Sequence, residues 1–404
     1  MNTNKADELN IARRNYRPLL ELGRGGMARV FLAESLASGI RKLVVLKILN
    51  RELAMEPEIR AAFRREAELS AQMNHPNVVQ VLEVVEHAGT PVIVMEYLDG
   101  IALSTIDAQT GQAMPLSLHL YVMTQVLAGL HHFHELSDFD GKPLNAVHRD
   151  VSPQNVVVLH DGPVKVLDFG IAKVRAAEQH TRAGVVKGKL HYMPPEQLLG
   201  ETTLDRRADL FPVGIMLWEA VAKRRLWGTA AENSVVRALA RGELPRIRDV
   251  APEVPAEIEA VIEKAMQCDP SKRFSTAEEM QLELERVMAS CGAFIQSRDV
   301  SSFMHKHFGE KRLFRRRAIE RSLRDPEATL SGVMECVTPR SLDAHSLHLP
   351  AASGQHLLAN VELRESGKHV LDQTPSDSFA DIQSFSQTFS ELSSPELRRE
   401  GPRS

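Results

Sequence analysis

His148-Arg149-Asp150-Val151-Ser152-Pro153-Gln154-Asn155 and, a short way downstream, Asp168-Phe169-Gly170 are the strings on which the reading of this chain turns. They are separated by two short β-branched runs, residues 156–159 and 164–167. Between those runs, Asp161-Gly162 tolerates the left-handed backbone of a tight turn, so the segment predicts a hairpin. A hairpin folds the two strings back toward each other. A carboxylate at Asp150 can then orient a hydroxyl nucleophile and take its proton, while Asn155 and Asp168 offer the hard oxygen ligands that magnesium accepts beside phosphate groups.

Upstream, residues 16–96 alternate short β-rich runs (30–34, 42–49, 78–83 and 91–95) with one amphipathic stretch over 57–73. That pattern predicts a small sheet with one helix. Gly23-Arg24-Gly25-Gly26-Met27-Ala28-Arg29-Val30 is a glycine-rich turn that would let backbone N–H groups approach phosphate oxygens, although by itself it also fits an ordinary hairpin. Lys47 follows Val44-Val45-Leu46 in an apolar strand, so its ammonium must meet an anion or reach water at the strand end. Glu66 is a carboxylate able to pair with it, and taken alone it is one surface glutamate among many.

Downstream, helical periodicity dominates from about residue 116, most clearly over 119–135, 209–222, 256–267 and 276–288. A helical lobe therefore follows the sheet lobe. Residues 301–323 read as a basic helix whose Lys311, Arg312, Arg315, Arg316 and Arg317 form a solvated face. Beyond it the chain is rich in Ser, Pro, Glu and Arg and has little apolar content to bury, so a mostly disordered tail is expected. Within that tail Phe379, Ile382, Phe385, Phe389 and Leu392 recur at near-helical intervals, the pattern of a segment that docks to a partner or to the rest of this chain.

The 404 residues are 43% hydrophobic and 25% charged, enough for a large core in two lobes. Apolar runs fall far short of the roughly 20 residues of a membrane helix, and the first residues lack a signal-peptide core, so no membrane span and a cytoplasmic location are expected. The cysteines Cys268, Cys291 and Cys336 are few and not grouped as metal ligands, which argues for reduced thiols. A net charge of -4 spread along the chain gives no reason to expect nucleic acid as a partner.

Together these strings resemble the protein-kinase signature set, in the version of bacterial eukaryotic-like serine/threonine kinases, over about residues 16–288. Val94-Met95-Glu96-Tyr97-Leu98 resembles the hinge between the lobes, and Met193-Pro194-Pro195-Glu196 the end of the activation segment. Asp209 is similar to the buried acid that braces the catalytic loop, and Arg273 to the arginine that pairs with Glu196. The resemblance implies an α+β, two-lobed fold. An N-terminal segment, 1–15, would precede a small antiparallel sheet lobe with one helix, 16–97, and a larger, mainly helical lobe, 98–288. A helical extension, 289–325, and the disordered tail, 326–404, would complete the chain.

The implied activity is transfer of the ATP γ-phosphate to protein serine and threonine hydroxyls, autophosphorylation included, with magnesium or manganese as the metal. ATP would contact Gly23, Gly25 and Gly26, the hinge backbone at Glu96 and Leu98, and apolar walls at Leu22, Val30, Val45 and Val157. Lys47, held by Glu66, would grip its phosphates; Asn155 and Asp168 would hold the metal, and Asp150 would position the acceptor.

Five positions depart from the family pattern. Ala28 stands in place of a third glycine, Val45 in place of a smaller alanine, and Pro212 early in a helix. Ser152 stands where the family usually carries a lysine that contacts the γ-phosphate, and Lys189 where it usually carries a threonine. The two partners look exchanged, so Lys189 is expected to reach back to the γ-phosphate and Asp150. Arg149 beside the catalytic acid implies an activation segment ordered by phosphate, and Thr181 is the one Ser or Thr between Asp168 and Glu196. The rival reading is a scaffold of the same fold with weak or no phosphotransfer. A small-molecule phosphotransferase would lack the pairing of Pro195-Glu196 with Arg273.

Overall fold

Side chains alternate across a strand, and the central strand shows what that alternation buries on each face. The computed structural model describes residues 16–36, 41–87, 90–111, 114–138, 140–168, 190–201 and 203–324. Five antiparallel strands, β1 (Tyr16–Arg24), β2 (Ala28–Ser35), β3 (Lys42–Leu49), β4 (Val81–His87) and β5 (Thr90–Glu96), form a sheet in the order β1-β2-β3-β5-β4. On β3, Val44 and Leu46 pack with Phe31, Val92 and Val94 on one face. The opposite face, carrying Lys47 and Leu49, looks toward helix α2 (Pro57–Ala71), which follows the short turn α1 (Arg51–Ala54).

Pro57 starts α2, where its missing N–H costs nothing. The buried stripe of that helix is Ile59, Ala62, Phe63, Glu66, Ala67 and Ser70, a three-and-four spacing that carries one carboxylate into the apolar face. The strand expected over 78–83 is displaced. Val79 donates its N–H to the Val166 carbonyl at 3.0 Å and Val78 bridges to Val166, so the segment first pairs with the second lobe and joins the sheet only at Val81.

The second lobe opens with β6 (Gly100–Ala102), α3 (Leu103–Thr110) and α4 (Leu116–His134), then the hairpin of β7 (Val156–Leu159) and β8 (Val164–Val166), which pairs as β6-β7-β8. Helices α5 (Pro195–Leu198), α6 (Leu210–Ala222), α7 (Glu232–Arg241), α8 (Ala256–Ala265) and α9 (Ala277–Ser290) follow, and a long helix, α10 (Ser297–Arg324), ends the described residues. Every residue of α6 up to Val221 is buried, Trp218 and Phe211 among the largest. Pro212 is its third residue, inside the first turn where backbone N–H groups have no helical partner, so the helix tolerates it. No helix among the described residues is long and apolar enough to cross a membrane. The expected N-terminal segment and the tail lie outside the described residues.

Beneath α6, Asp107 and His119 line a small cavity with Glu219. Burial pushes the Asp107 carboxyl up to about 6, with Arg225 opposing and Glu219 reinforcing it, and burial pushes His119 down to about 3. A raised carboxyl pKa means that the folded chain keeps its proton longer than the unfolded chain. The stability this gives is complete below pH 3.8 and is lost as the pH rises toward 6. Asp107→Asn is therefore expected to raise stability at pH 7.5 by roughly 1–3 kcal/mol and to leave it unchanged at pH 4, in urea titrations at the two pH values.

Candidate active site

Strand β3 places Lys47 opposite Val30 of β2 and Ile93 of β5, on the face turned toward α2. Its Nζ lies 3.1 Å from Glu66 Oε1 and 2.6 Å from Asp168 Oδ1. Burial disfavours the ammonium, but the Asp168 carboxylate and then Glu66 outweigh it and hold the pKa above the usual lysine value. Lys47 therefore stays charged at any physiological pH. The pairing also explains the buried carboxylate on α2, since an unpaired charge at Glu66 would oppose the packing of the helix.

Asp168 follows β8 with φ 51°, a left-handed backbone uncommon for a residue with a side chain. Arg149 shares that feature at φ 63°. Strained residues of this kind persist where surrounding bonds overdetermine them, and those bonds are present on both sides. The Leu167 N–H donates to the Asn155 carbonyl at 2.8 Å, and the Leu167 carbonyl accepts from His148 Nε2 at 2.9 Å. Asp209, just before α6, accepts the N–H groups of His148 and Arg149 at 2.7 and 2.8 Å and the His134 Nε2 at 2.8 Å. Burial would raise the Asp209 pKa, but the His134 bond and the charges of His134 and His148 hold it below the usual range.

The string 148–155 is thus clamped by Asp209 at His148 and Arg149 and tied to Leu167 beside Asp168. Within it, Asn155 Nδ2 donates to the Asp150 carbonyl at 2.7 Å and to Asp150 Oδ2 at 2.8 Å. The donors of the amide are turned on Asp150, so its oxygen is the atom offered to a cation. Among the described residues no group of three or more His, Cys, Asp or Glu gathers as a metal cage. An amide oxygen and the Asp168 carboxylate instead suit magnesium, which keeps water and substrate phosphates as its remaining ligands.

Above the loop, the Glu96 carboxylate accepts from Lys165 Nζ at 2.7 Å and from the Gln80 N–H at 2.8 Å. The Glu96 N–H is bonded to the Gln80 carbonyl and the Leu98 carbonyl to the Gly100 N–H. The Glu96 carbonyl and the Leu98 N–H, to which the family resemblance assigns the adenine contacts, both lie on this linker. Val45 and Val157 are buried and Leu22 and Val30 half-buried. The Gly25 N–H bonds to the Ala28 carbonyl at 2.9 Å, which closes the turn between β1 and β2 without using Gly23.

Arg273 donates to both oxygens of Glu196, at 2.6 and 2.8 Å, and also to the carbonyls of Arg207 and Gln267. Ser152 is buried, and its Oγ has no hydrogen-bond partner among the described residues. Phe169, Gly170, Thr181 and Lys189 lie outside the described residues.

Two groups went unmarked in the sequence. His134 supports Asp209, and Glu219 accepts from the Tyr192 hydroxyl at 2.7 Å, from Arg225 at 2.8 Å and from the Leu226 N–H at 3.0 Å. Glu219 is the one acid inside α6, and a lone carboxylate in an otherwise apolar helix is the signal that would have found it.

The protein kinase domain family matches residues 16–284. The tyrosine-protein kinase MasK of Myxococcus xanthus is 41% identical over 303 residues, which cover 74% of this chain and 47% of that protein. The serine/threonine-protein kinase PrkC of Bacillus subtilis is 33% identical over 270 residues, 67% of this chain and 40% of that protein. The chain thus spans less than half the length of these curated relatives. The crystal structure of the Mycobacterium tuberculosis PknI kinase domain superposes with a TM-score of 0.52 at 25% identity, covering 67% of this chain and 96% of that one. With the sheet lobe, the helical lobe and the Lys47, Glu66 and Asp168 cluster between them, these matches show that the chain belongs to the protein kinase family, in its bacterial eukaryotic-like form.

Proposed function

We propose that this chain transfers the γ-phosphoryl group of ATP to serine and threonine hydroxyls of proteins, itself included, as a signalling kinase of the bacterial cytoplasm. The observation that carries this is the Lys47 ammonium held between the Glu66 and Asp168 carboxylates, 3.1 and 2.6 Å away. Lys47 binds the phosphates, the Glu96 carbonyl and Leu98 N–H orient the adenine, and Asp150 holds the acceptor hydroxyl and accepts its proton. Magnesium, held by Asn155 and Asp168, supplies neutralisation of the phosphate charge. Positioning and electrostatics carry most of such a reaction, so the residues already bonded to one another do most of the catalytic work before substrate binds.

The buried Ser152 hydroxyl, without a partner among the described residues, supports the further reading that Lys189 supplies the phosphate-binding cation from the docking loop. Lys189→Thr is then expected to lower kcat roughly tenfold or more, and unchanged kinetics of Lys189→Thr and Ser152→Lys would sink the exchange. Thr181 is the proposed autophosphorylation site, read by Arg149; full activity of Thr181→Ala would dismiss it.

The test of the whole reading is incubation of the purified chain with labelled ATP and magnesium, beside Asp150→Asn, followed by phosphoamino-acid analysis. Label on serine and threonine is expected. Tyrosine as acceptor is the second reading, favoured by the 41% identity to a relative named a tyrosine kinase, and label on tyrosine alone would select it. No label on any protein would leave a scaffold.

A further inference from the structure

Helix α10 begins at Ser297, beyond residue 284 where the family match ends, and runs to Arg324. Its 28 residues extend about 42 Å at 1.5 Å per residue, long enough to pass along both lobes. Its start sits on the β7–β8 turn of the helical lobe. There Ser301 Oγ donates to the His160 carbonyl at 2.9 Å. Gly162 has φ 105°, and a Cβ on it would lie 2.0 Å from the Ser297 carbonyl oxygen, so the approach of the helix requires glycine at this turn.

The middle of α10 crosses the linker between the lobes. Arg312 Nε donates to Asp99 Oδ2 at 2.8 Å and Arg315 to the Gly100 carbonyl at 2.8 Å. Its last turns rest on the sheet lobe, where the buried Ile319 packs with Leu19, Leu20 and Leu32 of β1 and β2, and Leu323, Leu22 and Tyr97 close around them. Arg17 donates to the Leu323 carbonyl at 3.2 Å. The solvated basic face expected here is corrected at Arg312 and Arg315, because the tertiary fold brings the Asp99 carboxylate and a backbone carbonyl under those two arginines.

The residues so gripped bracket the adenine contacts. Leu98 lies between Tyr97 on one side and Asp99-Gly100 on the other, and all three neighbours meet α10. Leu22, a wall of the same subsite, belongs to the Ile319 cluster. The Val79–Val166 and Lys165–Glu96 bonds already link the lobes and α10 adds a tie across the linker itself; interlobe freedom that must be ordered on binding would cost affinity.

We propose that α10 is an interlobe strap in which Arg312, Arg315 and Ile319 are positioning residues for ATP. They hold the linker and β1 in the arrangement the adenine subsite needs, without touching the nucleotide. The inference rests on the reading of the cleft as an ATP site.

The test uses the full chain with Arg312→Ala, Ile319→Ala and the conservative Arg312→Lys. Steady-state kinetics, the Kd of a non-hydrolysable ATP analogue, and hydrogen exchange at the Leu98 and Asp99 amides without nucleotide would be measured. Arg312→Ala and Ile319→Ala are expected to raise KM for ATP and the analogue Kd about five- to tenfold, with kcat within about twofold and KM for the protein substrate unchanged. Exchange at the two amides quickens, and Arg312→Lys recovers part of the loss. Unchanged analogue Kd and amide exchange in both alanine variants would overturn the strap. So would a joint loss of kcat and both KM values, which general loosening would give. A wild-type chain that binds the analogue but transfers no phosphate would overturn the catalytic reading, and the strap would then be decided by the analogue Kd and the exchange rates.

Discussion

Asp150→Asn is expected to lower kcat about a thousandfold while KM for ATP changes less than about twofold. The substitution is isosteric, and the amide oxygen can still accept from Asn155 Nδ2, which lies 2.8 Å from Asp150 Oδ2. Backbone clamps on the loop do not involve the Asp150 side chain: Asp209 holds His148 and Arg149, and Asn155 bonds the Asp150 carbonyl. What is lost is the negative charge that, in the proposed mechanism, orients the acceptor hydroxyl and takes its proton. The proposed ATP contacts are Lys47, paired with Glu66 and Asp168, and the linker, which the substitution leaves alone. A large rise in KM for ATP, or kcat within tenfold of wild type, would mean that Asp150 does not act on the acceptor.

The second large effect is on stability. Arg273→Met is expected to cost about 3–5 kcal/mol, because it strands the Glu196 carboxylate in the interior. The Arg273 side chain is fully buried and that of Glu196 is 5% exposed, so water cannot take over the lost bonds. The arginine also satisfies the carbonyls of Arg207, Gln267 and Cys268, and its guanidinium lies 5.0 Å from the centre of the Phe211 ring. Thermal unfolding should shift down by roughly 6–20 °C at this size of lobe. Adding Glu196→Leu should recover a substantial part of the loss, since two apolar groups leave no buried charge. A double variant no more stable than Arg273→Met would show that the carbonyl bonds, and not the stranded carboxylate, set the cost. Because Glu196 lies in the first turn of α5, where the family resemblance puts the end of the activation segment, activity is expected to fall with stability even at temperatures where the variant remains folded.

Much of this site is written locally. The strings around Asp150 and Asp168 bring their own hairpin, and the turn residues Asp161-Gly162 need no distant help to reverse the chain. Lys47 and Glu66 are different. Each is an ordinary charge in its own segment, and only the pleat of β3 and the three-and-four stripe of α2 aim them at one another. The spacing that buries Glu66 was present in the amphipathic stretch, but a periodicity names a face and not the partner it meets. His134 and the strap contacts of Arg312 and Arg315 carried no local mark, since their partners lie tens to hundreds of residues away, whereas Glu219 was marked only as a lone acid in an apolar helix.

By itself the sequence determined the family and the two-lobed α+β fold, and it proposed the groups that would handle a phosphate, because those readings rest on short strings whose chemistry is local. The clamping of His148 and Arg149 by Asp209, the buried charge on Lys47 and the passage of α10 over the linker were decided by the tertiary structure. Each needs a carboxylate, a carbonyl or an apolar surface delivered from a remote segment, and a pairing of that kind is set only when the segments pack and water is removed.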